Sequence, residues 1–282
     1  MTASVRPDGG RGGTLTVLGC DGSYPGPRGA ASGYLVEAGG VTVWLDAGPG
    51  TFANLQAVAD PAQVDAVVLS HEHPDHWTDV ESFAVWLRHA APSAPVPVYA
   101  PPGLRERAYF GGDPVLAWRI VEPSYRVVVR RRVDRGGDES AGRHLALACS
   151  FAATDHGPPT LAVRFDALAS RRPVTAAPWV AAADAARSLG YSADTGADWS
   201  PEELGAGLGV LLCEATYTRE HEGQFRHLSG RQAGRLAAAA GVRKLVVTHR
   251  WPSVGADALG AEADEAFGRP VHQAEIGRVF QW

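Results

Sequence analysis

One short stretch restricts this chain more than any other. Ser70-His71-Glu72-His73-Pro74-Asp75-His76 follows directly on Asp65 to Leu69, a run patterned as a buried strand. Four potential ligands, His71, His73, Asp75 and His76, fall within six residues, and Pro74 keeps them from continuing a regular strand. A tight turn at a strand end can aim His71 and His73 one way and Asp75 and His76 another, which could fill two adjacent cation sites. Imidazole and carboxylate donors suit Zn, and also Mn or Fe. The bland alternative is a polar turn that happens to be His-rich, but three histidines with an interleaved aspartate seldom cluster by accident.

The rest of the chain supplies a scaffold for such a turn. At 282 residues, with 45% apolar and 20% charged side chains, it has the make-up of a packed protein and excludes wholesale disorder. Residues 1–13 read as a polar, Gly-rich tail and 14–282 as one domain, with no internal repeat or linker. Short apolar runs bounded by Gly, Pro or Asp predict strands at Leu15 to Leu18, Tyr34 to Val36, Val41 to Leu45 and Ala66 to Leu69, with Ala38-Gly39-Gly40 as a hairpin turn. Further strands are expected at Val96 to Tyr99, Tyr125 to Val133, Leu145 to Ala152, Leu161 to Phe165, Val210 to Cys213 and Lys244 to Thr248. Helical spacing marks Thr78 to Ala90 and Gly230 to Ala240. Strands and helices mixed along the whole length point to stacked sheets with outer helices. Arg130-Arg131-Arg132 reads as a solvated turn at a hairpin end. Ala167 to Ala186 shows no clear period and could be a loop, a short helix or a lid.

Net charge is −5 with a pI near 6.1, so nothing pulls the whole molecule towards nucleic acid or an anionic membrane. Cys20, Cys149 and Cys213 are odd in number and widely spaced, which argues against a disulfide framework and a thiolate zinc site. With no apolar leader at the N-terminus and no run near the ~18 apolar residues that a membrane span needs, a cytoplasmic location is the expectation.

The pattern H-x-H-x-D-H resembles the hallmark of the metallo-β-lactamase superfamily, and other pieces follow in the order that superfamily expects. Within Ala153-Thr154-Asp155-His156-Gly157, His156 ends a strand-like run. Tyr191-Ser192-Ala193-Asp194-Thr195-Gly196 is similar to the family's Y-S-G-D-T-G. Val246-Val247-Thr248-His249 closes another strand. The resemblance implies an α/β (α+β) fold, a four-layer αββα sandwich of two mixed sheets with outer helices. It further implies two divalent metal ions, Zn2+ first and Mn2+ or Fe2+ as alternatives. His71, His73 and His156 would hold one, Asp75, His76 and His249 the other, and Asp194 would be shared. Taken alone, Asp194 could instead be an Asx-turn residue before Gly196.

Leu211-Leu212-Cys213-Glu214-Ala215-Thr216-Tyr217, followed by His227-Leu228-Ser229-Gly230, resembles the paired elements of ribonuclease Z-like phosphodiesterases. In that group the His is positioned by the Glu and protonates the leaving oxygen, roles that fall here to His227 and Glu214. Cys213 stands where ribonuclease Z has His. The plainer reading makes Ser229 a helix cap and His227 an exposed loop residue. Together with Leu15-Thr16-Val17-Leu18-Gly19-Cys20-Asp21-Gly22-Ser23 and Ala31-Ser32-Gly33-Tyr34, these motifs look most like the atypical class II cyclic-nucleotide phosphodiesterases. The implied activity is hydrolysis of a small (cyclic) nucleotide or related phosphodiester by metal-bound hydroxide, with Asp75 holding its proton. A lactone, thioester or carboxylic-ester hydrolase of the same fold is the rival. Transfer-RNA processing fits less well, because the 38 residues from His156 to Asp194 contain no Lys for an RNA-clamping arm. The small phosphodiester is therefore the expected partner, with nucleic acid disfavoured, no membrane, and a homodimer possible as is common in the group. The segment 166–188 is longer than that branch usually carries. Trp77 and Trp251, each close behind a ligand His, are candidates to wall the pocket. His89, His144, His221 and His272 have no motif around them.

Overall fold

Burial along the strands alternates between two different cores, and that alternation builds the layers. The computed structural model describes residues 12–90, 94–132, 144–170 and 186–282. Residues 1–11 of the Gly-rich tail and 171–185 of the unassigned stretch lie outside them. In chain order come β1 (Gly13–Gly19), β2 (Gly33–Ala38), β3 (Val41–Ala47), α1 (Thr51–Val58), β4 (Ala66–Val68), α2 (Asp79–Ala90), β5 (Val96–Ala100), α3 (Leu104–Arg107) and β6 (Leu116–Ile120). Then follow β7 (Arg126–Val129), β8 (His144–Ala153), β9 (Leu161–Ser170), β10 (Ser188–Tyr191), β11 (Val210–Glu214), α4 (Gly230–Ala239), β12 (Lys244–Thr248), α5 (Ala256–Phe267), β13 (His272–Gln273) and β14 (Val279–Gln281).

Among the described residues the strands form two seven-stranded sheets, ordered β14-β1-β2-β3-β4-β5-β6 and β13-β12-β11-β10-β9-β8-β7. Both are mixed. The pairs β3–β4, β4–β5 and β5–β6 are parallel in the first sheet, as are β10–β11, β11–β12 and β12–β13 in the second. Gly39 and Gly40, at φ 57° and 70°, make the tight β2–β3 turn that a Cβ would strain. Val43, Leu45 and Val68 pack between the sheets against Phe165, Tyr191 and Leu212. Their neighbours Trp44, Val67 and Leu69 face outward onto Phe52, Val80 and Phe83 of α1 and α2. On the far side, Leu211, Cys213, Leu245 and Val247 pack under Ala233 and Ala237 of α4 and Leu259 and Ala263 of α5. The result is a four-layer αββα sandwich, the architecture expected from the sequence.

Arg132 departs from the expected solvated turn. It is buried: its backbone N–H donates to Asp65 Oδ1 at 2.8 Å and its guanidinium to the carbonyls of Val64 and Ala94. Asp65 also accepts from Thr42 N–H, so this one carboxylate ties the start of β4 to its neighbours. Arg130 and Arg131 are exposed, as a turn requires. No helix among the described residues is long and apolar enough to cross a membrane.

The layering decides where chemistry can occur. Asp46 lies near the C-terminal end of β3, Ser70 follows β4, Tyr191 and Glu214 end β10 and β11, and Thr248 ends β12. Carboxyl ends of parallel strands from both sheets therefore open at one edge of the sandwich, where ligands collect in sheets of this kind.

Candidate metal centre

Six imidazoles and four carboxylates meet at that edge. After β4 the chain makes a single 3-10 turn, Pro74–His76, so His71 and His76 end fully buried while His73 is half-buried. The ring centroids of His71 lie 4.7 Å from His73, 5.2 Å from His156 and 4.2 Å from His76. His156 Nε2 is 3.2 Å from His73 Nδ1. Asp194 stands between the two groups of ligands. Its Oδ2 is 3.6 Å from His71 Nε2 and 3.9 Å from His156 Nε2, and its Oδ1 is 3.3 Å from both His76 Nε2 and His249 Nε2. Asp75 Oδ2 is likewise 3.3 Å from His76 and His249. Candidate ligand atoms of His71, His73, His156 and Asp194 lie within 4.8 Å of one another, and so do those of Asp75, His76 and His249. All seven ligands expected from the sequence are brought together in the expected two groups.

The donor set fits cations on chemical grounds. His71 Nε2, His76 Nε2 and Asp194 Oδ1 are buried without any hydrogen-bond partner. Three such atoms converging on one cavity carry a desolvation penalty that coordination would offset. Hydrogen bonds on the far side of each ring fix which nitrogen is free. A carboxylate only accepts, so the Ser70 hydroxyl donates to Asp46 Oδ2 (2.8 Å) and must accept from His71 Nδ1 (3.0 Å). His76 Nδ1 donates to the same Asp46 oxygen at 2.7 Å. The Thr216 hydroxyl donates to Glu214 Oε2 (2.7 Å) and accepts from His249 Nδ1 (2.9 Å). His156 Nδ1 donates to the carbonyl of Arg226 at 3.1 Å. Four rings thus commit Nδ1–H to an outer acceptor and turn Nε2 inward, the arrangement by which outer partners orient metal-binding histidines.

Ionisation follows the same logic. Burial disfavours charge on Asp194, yet His249, His76 and His71 around it hold its carboxyl well below the usual carboxylate range. Asp75 is lowered too: His76 and His249 overcome the burial that would raise it. Burial, reinforced by neighbouring imidazoles, keeps His71 neutral and so able to act as a ligand.

Glu214 is 1% exposed and accepts four hydrogen bonds: from Thr195 N–H and His227 Nδ1 at Oε1, and from Thr216 and Leu228 N–H at Oε2. The His227 contact is 2.9 Å, and the same nitrogen lies 4.0 Å from Asp194 Oδ2. Burial opposes a charge on His227, but Glu214 outweighs it and pushes its pKa up to about 9. Ser229 does cap α4, in a reciprocal box with Gln232, and this holds the loop that carries His227.

Several supporting residues have roles that only the structure reveals. Asp46 stands in no motif, and Ser70 and Thr216 stand in motifs without a marked role, because Asp46 lies 24 residues from Ser70 and His249 lies 33 from Thr216. Gly22 and Gly48 serve in another way, by close approach of backbone. A Cβ on Gly22 would overlap the His249 carbonyl, and one on Gly48 would overlap the Asp75 carbonyl. Asp46, Ala193 and His249 are non-glycine residues with φ of 51°, 52° and 58°. Strain of this kind persists where the surroundings over-determine it, and Ala193 takes it up where the family pattern has Gly. Trp77 does not wall the site; it packs on the helix side of the first sheet and donates to the Glu72 carbonyl. Cys213 also faces away, into the core beneath α4 and α5.

Residues 41–250 match the family model described as the β-lactamase superfamily domain. The chain belongs to that superfamily. Rv1339 of Mycobacterium tuberculosis (strain ATCC 25618 / H37Rv) is 34% identical over 273 residues, 95% of this chain and 91% of its own. Ribonuclease Z of Kineococcus radiotolerans is 29% identical, covering 89% of this chain and 88% of its own. The crystal structure of YhfI from Bacillus subtilis, a metallo-β-lactamase-fold protein, superimposes with a TM-score of 0.76 at 22% identity, over 97% of this chain and all of that one. Fold and family together are those of a metallo-hydrolase.

Proposed function

We propose that the protein is a dinuclear metal-dependent phosphodiesterase whose substrate is a small nucleotide, cyclic or otherwise, or a related phosphodiester. The observation that carries this reading is His227, held by Glu214 at 2.9 Å and standing 4.0 Å from the carboxylate between the two ligand groups. A thiolate or an aryl oxide leaves without a proton, whereas expulsion of a ribose alkoxide needs a proton donor beside the cation sites, and the Glu214–His227 pair is the element that resembles ribonuclease Z-like phosphodiesterases. The ribonuclease Z relative, by its name, acts on RNA, itself a phosphodiester.

His71, His73, His156 and Asp194 would hold one cation, and Asp75, His76, His249 and Asp194 the other. Bound there, the pair would polarise the phosphoryl oxygens and lower the pKa of a water towards neutrality. Asp75 accepts a hydrogen bond from the attacking water and orients it in line with the leaving oxygen. His227, with Nδ1–H committed to Glu214 Oε1, presents Nε2–H to that oxygen and gives up the proton as the P–O bond breaks. Glu214 Oε1, 2.9 Å from His227 Nδ1, stabilises the imidazolium before transfer. Positive charge from two cations would oppose that imidazolium and bring its pKa down from about 9 towards working pH.

The test is a panel of bis-p-nitrophenyl phosphate, cyclic AMP, a thioester and a lactone, run on metal-reconstituted protein. Phosphodiesters should be preferred. His227→Ala should cut cyclic AMP turnover by about 10²–10⁴-fold, the span of general acid catalysis, and the activated aryl ester far less. Preference for the thioester or lactone, or equal losses on both phosphodiesters, would overturn the proposal.

A further inference from the structure

Aromatic side chains flank the site at two places that the proposed reaction does not use. Phe225 lies two residues before His227, and Trp251 two residues after His249. Their rings meet at 5.3 Å and 74°, with Tyr217 5.7 Å from Trp251 and His221 6.1 Å from it. Tyr217 is wholly buried, and its hydroxyl faces the carbonyls of both Phe225 (3.0 Å) and His227 (2.7 Å). Trp251 is fixed twice, by its backbone N–H to the Thr216 carbonyl (3.0 Å) and by indole Nε1 to Ser23 Oγ (2.9 Å). Phe225 nevertheless remains 51% exposed. A single exposed Phe needs no explanation. A Phe whose backbone is tied to the proton donor and whose ring sits edge-on against a pinned indole is a prepared surface.

We propose that Phe225 and Trp251 form the stacking platform for the planar base of a nucleotide whose phosphodiester lies at the metal centre. The inference rests on the phosphodiesterase reading and names the substrate class for it. Two residues of chain span at most about 7 Å, so the backbones of Phe225 and Trp251 lie within that distance of His227 and His249. The 74° crossing makes a corner that offers a ring face to the base from one side and an edge from the other, the two contacts aromatic rings favour. Between Phe225 and His227, Arg226 holds His156 through its carbonyl. One three-residue segment therefore joins base recognition, a ligand imidazole and the proton donor. Stacking tolerates any base because each has a π-face, so the platform selects nucleotides over simple phosphodiesters rather than one base over another.

The test uses the full-length, metal-loaded protein and two pairs of probes. Adenosine 3′,5′-cyclic phosphate is compared with 1-O-methylribose 3′,5′-cyclic phosphate for turnover, and adenosine 5′-monophosphate with ribose 5-phosphate for binding by calorimetry. Phe225→Ala, at an exposed position that puts folding under little strain, should raise KM for the cyclic nucleotide and Kd for the monophosphate about ten-fold, equivalent to ~1.4 kcal/mol. Both base-free probes should be unaffected, and Phe225→Trp should restore the wild-type values. Equal effects on base-bearing and base-free probes, or wild-type protein that binds ribose 5-phosphate as tightly as the nucleotide, would overturn the platform. If neither ester is hydrolysed while Phe225→Ala still weakens nucleotide binding selectively, the phosphodiesterase reading falls and the platform stands.

Discussion

Replacing Thr216 by Val tests the hydroxyl that stands between a carboxylate and a ligand imidazole. The side chain is wholly buried, and its Oγ1 lies 2.7 Å from Glu214 Oε2 and 2.9 Å from His249 Nδ1. Valine keeps the shape and removes both hydrogen bonds. Glu214 Oε2 still accepts from Leu228 N–H at 3.0 Å, so the carboxylate is only partly deprived. Among the described residues His249 Nδ1–H has no other partner at hydrogen-bond distance and is left unsatisfied, which costs about 1–3 kcal/mol. Part of that cost appears as stability and part as freedom of His249 to turn or change tautomer, so that Nε2 no longer faces Asp75 and Asp194. Loss of such an outer partner typically weakens metal binding about 10–100-fold. The assay is competition for Zn2+ against a chromophoric chelator, with urea unfolding of the metal-free protein alongside. Thr216→Val should lose metal affinity in that range and Thr216→Ser should keep it. Wild-type affinity in the Val variant would refute the claim that this hydroxyl sets the His249 tautomer.

Gly22→Ala places a Cβ against the His249 carbonyl and 2.8 Å from its Nδ1; the loop must shift, and we expect a loss of about 1–3 kcal/mol in urea unfolding together with reduced metal content by elemental analysis. Normal content and stability would mean that the β1–β2 loop yields without disturbing the ligand. In metal-free protein the His227 pKa of about 9 stands above its ordinary 6.5, so its contribution to stability is complete below pH 6.5 and disappears as pH rises through 9. Glu214→Gln should abolish that share of the pH dependence and lower the His227 pKa in an NMR titration; an unchanged pKa would show that Glu214 is not its cause.

How much of the fold was legible depended on whether a segment's own pattern carried its fate. The β2–β3 hairpin was readable because two glycines separate two short apolar runs in which nearly every residue is buried, and α2 because Val80, Phe83, Ala84 and Leu87 share one face. Helix α5 was missed: its buried face is Leu259, Gly260, Ala263 and Phe267, too small and too broken by Gly for a clear stripe. Strand β10 was missed because Gly190 sits at its centre, where Leu204, Leu208 and Leu211 crowd the backbone. The Arg130 to Arg132 run looked like a charged turn, since no local signal says that Asp65, 67 residues away, will accept from Arg132.

By itself the sequence determined the ligand types and their order, because imidazoles and carboxylates at the ends of strand-like runs are chemical facts that survive without coordinates. It also marked Glu214 and His227 as a pair through the motifs around them. Only the tertiary structure decided how those groups are held: that Asp46 anchors His76 and, through Ser70, His71, that Glu214 holds His227 and, through Thr216, His249, and that Phe225 and Trp251 pack ring against ring. The physical reason is range. A side chain's identity is local, whereas its tautomer, its burial and its neighbours are set by strands that meet only when two sheets pack face to face.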